Sequence, residues 1–225
     1  MKKLLLLLTL GLFSSWVIGQ EVYLGAAEPE NFNGHVSHHT SSNYAPNLTC
    51  PPGALDENEP DLTTDDFDTV NGGCNSYPTV FIDINIGDTY CGRTNTFLFN
   101  SNNHRDTDWY RITLTDTKTL IWRSIADCDI DLYILREDGG CTTTTLNSTL
   151  NVPAGTQGEV EYTCPPGTYY FWIGYPYFSG LDAGADYQVT LLEQTSQVPL
   201  SDWAVYLTIG LIFLSSIYFV NKSIA

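Results

Sequence analysis

The sequence predicts an all-β, antiparallel β-sandwich carried between two apolar ends. Three observations predict it. Short runs of alternating apolar and polar residues recur between Cys50 and Glu193, Gly, Pro, Asn and Asp punctuate them, and no stretch of that interval has helical periodicity. The expected strands are Thr79 to Ile86, Thr94 to Phe99, Asp108 to Thr115, Lys118 to Ile125, Asp129 to Arg136, Gly158 to Thr163, Thr168 to Gly174 and Ala185 to Leu192. About 145 residues suffice for one core of this kind.

Residues 1–19 have the layout of a secretory signal peptide: Lys2 and Lys3, the apolar run Leu4 to Phe13, then Val17-Ile18-Gly19 before Gln20. An apolar run of about ten residues is too short to span a bilayer, which needs ~20. Residues 20–49 are rich in Asn, Ser, His and Gly and hold few branched apolar residues. They are expected to form a flexible segment, with His35, His38 and His39 as linker residues rather than metal ligands. At the other end, residues 194–202 read as a linker. Trp203 to Val220 then carries no charge over 18 residues, which at helical rise reaches roughly 27 Å and is long enough for a transmembrane helix. Lys222 follows in a short tail, 221–225, assigned to the cytoplasm, with the body on the outer side.

The chain has 9 Lys and Arg against 26 Asp and Glu, for a formal net charge of −17. Such a field repels a phosphate backbone, so nucleic acid is not expected as a partner, whereas cations are. The plain alternative is solubility alone. Six cysteines, Cys50, Cys74, Cys91, Cys128, Cys141 and Cys164, all lie beyond the signal peptide and read as three disulfides of an oxidising compartment. Cys74 with Cys91 is the favoured pair, because the strand from Thr79 and a turn at Gly87-Asp88 would bring them back together.

Strand alternation assigns faces. Tyr110, Ile112 and Leu114 share one side of their strand, and Trp109, Arg111 and Thr113 the other. Cys128, Ile130, Leu132 and Ile134 fall together, leaving Asp127, Asp129 and Asp131 as a row opposite them, read as a solvated face. In Thr168 to Gly174, Tyr169, Phe171 and Ile173 are expected inside, with Tyr170 and Trp172 exposed.

Five segments in order, Glu57-Asn58-Glu59-Pro60-Asp61, Arg105 to Tyr110, Asp129 to Tyr133, Pro166 to Tyr170 and Ala185 to Val189, resemble the bacterial pre-peptidase C-terminal domain across roughly Asp56 to Leu192. The insert Asn71-Gly72-Gly73-Cys74-Asn75-Ser76 and the extra cysteines depart from the family pattern. The resemblance implies a jelly-roll-like sandwich and a non-catalytic module appended to exported proteins. The tail containing Val198, Pro199 and Trp203 resembles sorting signals processed by exosortase-type enzymes, although it carries only Lys222 where such tails hold several basic residues. An unprocessed single-span anchor is the alternative.

Related collagen-binding sandwiches set a Glu-x-Glu segment against an Asp just before an aromatic pair. The resemblance therefore implies a Ca²⁺ site from Glu57, Glu59, Asp61 and Asp108, with Asp106 close by. Oxygen-rich side chains in this number suit a hard cation. The alternative is that Asp108 caps a turn and the Glu-Pro run is a solvated linker. Catalytic motifs are missing: there is no Gly-x-Ser-x-Gly elbow and no His-Glu-x-x-His, and His104 stands alone outside the N-terminal segment. The chain is read as a non-enzyme.

The remaining feature is aromatic. Tyr170 and Trp172, followed by Tyr175, Tyr177 and Phe178, would form an exposed patch able to stack on a glycan or anchor a protein ligand. The alternative is that these rings pack beneath loops. Two functional classes follow: a surface-displayed recognition or adhesion module, and a passive structural component of a surface or matrix layer sorted through its C-terminal signal.

Overall fold

A computed structural model describes residues 25–26 and 48–194 together with Tyr206, Leu207, Ile209, Leu211 and Ile212. Those last five are helical and exposed. Among the described residues no helix is long and apolar enough to cross a membrane. The expected signal peptide, the three histidines at 35, 38 and 39, the sorting residues Val198, Pro199 and Trp203, and most of the expected span lie outside the described residues.

Twelve strands form the domain: β1 Leu55–Asp56, β2 Ile82–Asp83, β3 Thr89–Thr94, β4 Thr96–Phe99, β5 Asn102–Arg105, β6 Thr107–Leu114, β7 Lys118–Ala126, β8 Ile130–Glu137, β9 Thr144–Val152, β10 Gln157–Cys164, β11 Gly167–Gly174 and β12 Ala185–Glu193. They make two five-stranded sheets, ordered β1-β3-β12-β7-β10 and β2-β6-β11-β8-β9, plus the two-stranded ribbon β4-β5. From β6 to β8, and again from β9 to β12, each strand lies in the opposite sheet to the one before it, so every such connection crosses the sandwich. The expectation of a wholly antiparallel sandwich is corrected at two edges, where the two-residue strands β1 and β2 pair in parallel with β3 and β6.

Alternation works as expected on the inner faces. Leu120, Trp122, Val160, Tyr187, Val189 and Leu191 of one sheet pack on Tyr110, Leu114, Ile130, Leu132, Ile134, Tyr169, Phe171 and Ile173 of the other. Removing this apolar surface from water is the main driving force for the fold. Seven of the eight expected strands are found nearly in place. The run Thr79 to Ile86 contributes only Ile82–Asp83, while β1, β3, β5 and β9 were not expected. β5 (Asn-Asn-His-Arg) and β9, rich in Thr and Asn, lack an apolar alternation because one belongs to a ribbon and the other is a sheet edge.

The expected aromatic patch is overturned. Tyr170 is 3 % exposed and Trp172 0 %, and Tyr175 and Phe178 are also buried, while Tyr177 is half-buried against the core. β11 lies at the centre of its sheet, so its inner side faces the main core and its outer side forms a second cluster with Trp109, Tyr133 and Leu135. Phe81 and Cys74 close over that cluster, with Phe81 stacked on Tyr170 at 4.7 Å between ring centres. The covering segment is 71–81, which begins with the Asn71–Ser76 insert, and the disulfide Cys74–Cys141 ties it to the loop after β8.

Disulfide pairing also differs from expectation. Cys50 pairs with Cys91 and Cys74 with Cys141, while Cys128 and Cys164 are buried free thiols. Cys164 sits opposite Lys118 at the start of β7, and Cys128 lies two residues past its end at Ala126. At strand rise that separates them by roughly 30 Å, far beyond the ~7 Å a disulfide can bridge. Burial pushes both thiols up to about 12. The row of Asp127, Asp129 and Asp131 is not simply solvated. These residues accept hydrogen bonds from Leu48 N (3.1 Å), Ala154 N (2.9 Å), and Asn151 Nδ2 (2.9 Å) with Tyr133 Oη (3.1 Å), respectively, so the row anchors loops.

Alkylation of the unreduced protein in denaturant is expected to label two cysteines, Cys128 and Cys164, and in native buffer neither. Peptide mass mapping checks both outcomes, and labelling of no thiol in denaturant would restore a third disulfide.

Candidate metal centre

The acidic segment 57–61 follows the short strand β1 and is turned onto the sandwich by hydrogen bonds to its backbone. Asn58 adopts φ 59° and its N–H donates to Asp56 Oδ1 at 2.7 Å, a local Asx turn that redirects the chain. Further on, the Asn95 side chain clamps Leu62 from both sides, donating to its carbonyl at 2.7 Å and accepting from its N–H at 3.3 Å. Asn95 lies between β3 and β4, and its own carbonyl accepts from Asp106 N at 2.9 Å, next to Asp108 on β6. One buried amide therefore holds the Glu57–Asp61 segment against the Asp106–Asp108 segment.

Glu57, Glu59, Asp106 and Asp108 are all buried and come together. Potential ligand atoms of Glu57, Glu59 and Asp108 lie within 4.8 Å of one another, as do those of Glu59, Asp68 and Asp106. Asp61, the remaining expected ligand, turns away. It is exposed and pairs with Arg93 at 2.8 Å, and Arg93 also pairs with Asp186 and donates to Ala183 O at 3.1 Å. A guanidinium within reach is a better partner for a solvated carboxylate than a crowded acidic pocket.

Two ligand-type residues were missed in the sequence, Asp68 and Asn71. Asp68 precedes the Asn71–Ser76 insert and Asn71 opens it. Asp68 Oδ1 accepts from the N–H groups of Val70 (2.8 Å) and Asn71 (3.2 Å), and Asn71 O accepts from Trp109 N at 2.8 Å. The Asp-x-x-Asn-Gly-Gly run of residues 68–73 was the available signal, a turn motif placing side-chain oxygens together.

Glu57 differs in kind from the others. Its oxygens accept from Arg93 N (2.5 Å), Tyr187 Oη (2.5 Å), Asn71 Nδ2 (3.0 Å) and Tyr110 Oη (3.3 Å). Burial raises its carboxyl to about 7, and these four donors hold it from going further. Both Glu59 oxygens, both Asp108 oxygens, Asp68 Oδ2, Asp106 Oδ1 and Asn71 Oδ1 are buried without a hydrogen-bond partner. Burial, then the charges of Asp106, Asp68 and Glu57, push Glu59 up to about 11. Asp106 and Asp108 are driven well above the usual carboxylate range, first by burial and then by neighbouring carboxylates, and Asp68 is raised by burial.

Two glycines leave room for this arrangement. A Cβ at Gly92 on β3 would run into the Glu57 carboxyl group, and one at Gly72 into that of Asp68. Every unpartnered oxygen of the cluster is a hard donor, and no N–H group is directed at it. The two groups, Glu57 with Glu59 and Asp108, and Glu59 with Asp68 and Asp106, share Glu59, and spacings of 4.8 Å or less within each suit oxygens that sit about 2.3–2.6 Å from a Ca²⁺ ion. Glu59, Asp68, Asn71, Asp106 and Asp108 would hold the ion, with Glu57 alongside.

Gly92→Ala is expected to lower the unfolding free energy by about 1–3 kcal/mol, as for an overpacked buried site, and urea melts of purified protein check it. Without metal, stability should fall as pH rises. The buried acids keep their protons in the fold up to about 7 for Glu57, whereas the unfolded groups release theirs near 4.5. The native state thus binds more protons in that window, and stability present below 4.5 is lost on passing 7. Melting temperatures in a chelator between pH 4.5 and 8 test this, and a rise with pH would contradict it.

No family model matches the chain, and no curated protein does. Solved structures with some likeness include the pre-peptidase C-terminal domain of a collagenase from Bacillus anthracis, at 14 % identity over 49 % of this chain and 92 % of that one, with a TM-score of 0.37. The mitogen from Yersinia pseudotuberculosis is similar at 14 % identity over 52 % and 93 %, with a TM-score of 0.34.

Proposed function

We propose that the chain is a non-catalytic β-sandwich module of an exported protein, stapled at one corner by Ca²⁺. The observation that carries this reading is the set of seven buried, unpartnered oxygens from Glu59, Asp68, Asn71, Asp106 and Asp108. Ca²⁺ takes six to eight oxygens and tolerates irregular geometry, whereas Mg²⁺ demands a near-ideal octahedron and keeps several waters. Buried carboxylates without a counter-charge are among the least favourable arrangements a protein can hold. The donor set therefore makes most physical sense around a cation.

The ion would tie three parts of the chain together: the segment after β1, the loop at residues 68–71, and the β5–β6 junction. Its ligands are enclosed by protein, which favours a structural ion over one presented to substrate. Two disulfides support folding in an oxidising compartment. The same enclosure favours, as a second reading, a passive component of a surface or matrix layer, since a buried ion stiffens the module without displaying anything. Recognition of a glycan or protein ligand through the β11 aromatics is not part of the proposal, because those rings are covered.

Ca²⁺ at about 100 times its dissociation constant is expected to stabilise the protein by about 2.7 kcal/mol over a chelated sample. Asp108→Asn should abolish that response while the chelated protein stays about as stable as before, since burial already drives the Asp108 carboxyl towards its neutral form and an amide has the same shape. Calorimetric titration reports how many ions bind. Identical melting midpoints with Ca²⁺ and with chelator would overturn the reading.

A further inference from the structure

Beside the acidic cluster, and sharing Asp68, Gly72 and Asp106 with it, lies a cavity of about 300 Å³ walled by Phe67, Phe97, Phe99 and His104. That volume is at the lower end of clefts that hold ligands. Its aromatic wall is unusually exposed for this fold: Phe67 is 62 % exposed and stands edge-on to Phe99, and His104 lies between Phe97 and Phe99 at 5.5 and 5.4 Å. Burial pulls the His104 imidazole below its usual range, towards the neutral form that suits an apolar wall.

One side of this cavity is the outer edge of β5. In the β4–β5 ribbon, Thr96 pairs with Arg105 and Phe97 with His104. Successive N–H groups of a strand point to opposite edges, and Asp106 N is directed to Asn95 O, so Arg105 N faces the outer edge. There it donates to Ala26 O at 2.9 Å. The Arg105 side chain adds a second contact, Nε donating to Gly25 O at 3.2 Å. Arg105 is 2 % exposed and its guanidinium is held by Tyr175 O at 2.7 Å and by the rings of Trp172 (5.2 Å) and Phe178 (4.6 Å). Its donors are thus fixed before a peptide arrives, so little ordering is required on binding.

We propose that this edge and its aromatic cavity form a docking groove for the chain's own N-terminal segment, residues 20–26, bound as an added strand on β5. Gly25 and Ala26 already lie at the groove, and both line the cavity. Small residues at 25 and 26 let the backbone approach the Arg105 edge closely. The apolar triplet Val22-Tyr23-Leu24 precedes them in the sequence and supplies side chains of the kind that the Phe67, Phe97 and Phe99 wall would take. Main-chain hydrogen bonds give such strand addition its affinity, and side-chain pockets give it register. The occupant also covers an edge that would otherwise invite pairing with other chains. The groove goes beyond the Ca²⁺ reading and does not need it, since neither contact to Arg105 involves a carboxylate.

The test uses the purified full chain in mild detergent and a labelled peptide of residues 20–28 (QEVYLGAAE), read by fluorescence anisotropy with a scrambled peptide as control. The peptide should bind the chain carrying Val22→Ser, Tyr23→Ser and Leu24→Ser at least about tenfold more tightly than the intact chain, whose own segment competes at high effective concentration. Adding Phe97→Ala and Phe99→Ala to that variant should abolish binding. If this protein no longer melts cooperatively, the exposed Phe67→Ala takes its place and should weaken binding severalfold. Equal affinity for the intact and triple-serine chains, no binding to either, or binding indifferent to the aromatic substitutions would overturn the proposal. So would an intact chain that sediments as a dimer split by free peptide, because the segment would then dock on a second copy. Repeating the titration in chelator separates the two readings: peptide binding with no Ca²⁺-dependent melt leaves the groove standing alone.

Discussion

The mutual repulsion of carboxyl groups gathered out of water at one corner of the sandwich is the constraint to which much of the neighbouring structure answers. Glu57 is quieted by four donors, two of them tyrosine hydroxyls from opposite sheets. Those tyrosines are also bonded to each other at 2.9 Å, so the acidic corner and the main core share a single hydrogen-bond network. Both oxygens of Glu59 and Asp108 and one oxygen each of Asp68 and Asp106 have no such donors, and a cation is the charge that suits them. In this arrangement a buried polar cluster specifies how remote segments meet, which apolar packing alone leaves loosely defined.

That corner and the second aromatic cluster are mechanically joined. Asn71 belongs to the acidic site, and two residues later the same chain becomes the strap whose Cys74 and Phe81 cover Trp109, Tyr133, Tyr170 and Trp172. Asn71 O accepts from Trp109 N, so the strap is fixed at one end by the site and along its length by Cys74–Cys141. A sheet whose central strand is apolar on both faces needs a cover on each, and this insert supplies the outer one. The insert is thus an integral layer of the fold.

The ribbon β4–β5 forms the third element around the corner. Its inner edge holds the site through Asn95 and Asp106, while its outer edge meets the N-terminal chain at Arg105. Arg105 is the most deeply set cation of this region, and its stacking on Trp172 and Phe178 explains why those two rings, expected at the surface, are enclosed.

Alternation in the sequence was enough to determine the inner faces of β6, β8 and β11, because a strand's side chains obey a period of two whatever their neighbours. Alternation did not mark Glu57, Glu59, Asp61, Asp106 and Asp108; they were singled out by the resemblance of their segments to related sandwiches. It could not show that Asp61 would leave for Arg93, that Asp68 and Asn71 would join, or that Cys91 would choose Cys50 and Cys141 would choose Cys74. It also could not show that the outer side of β11 is covered. Each of those outcomes depends on residues 30 or more positions away in the chain being brought together, and local periodicity carries no information about which distant segment arrives. Tertiary structure decided them, through the geometric limits on disulfides and the need of every buried charge for a partner.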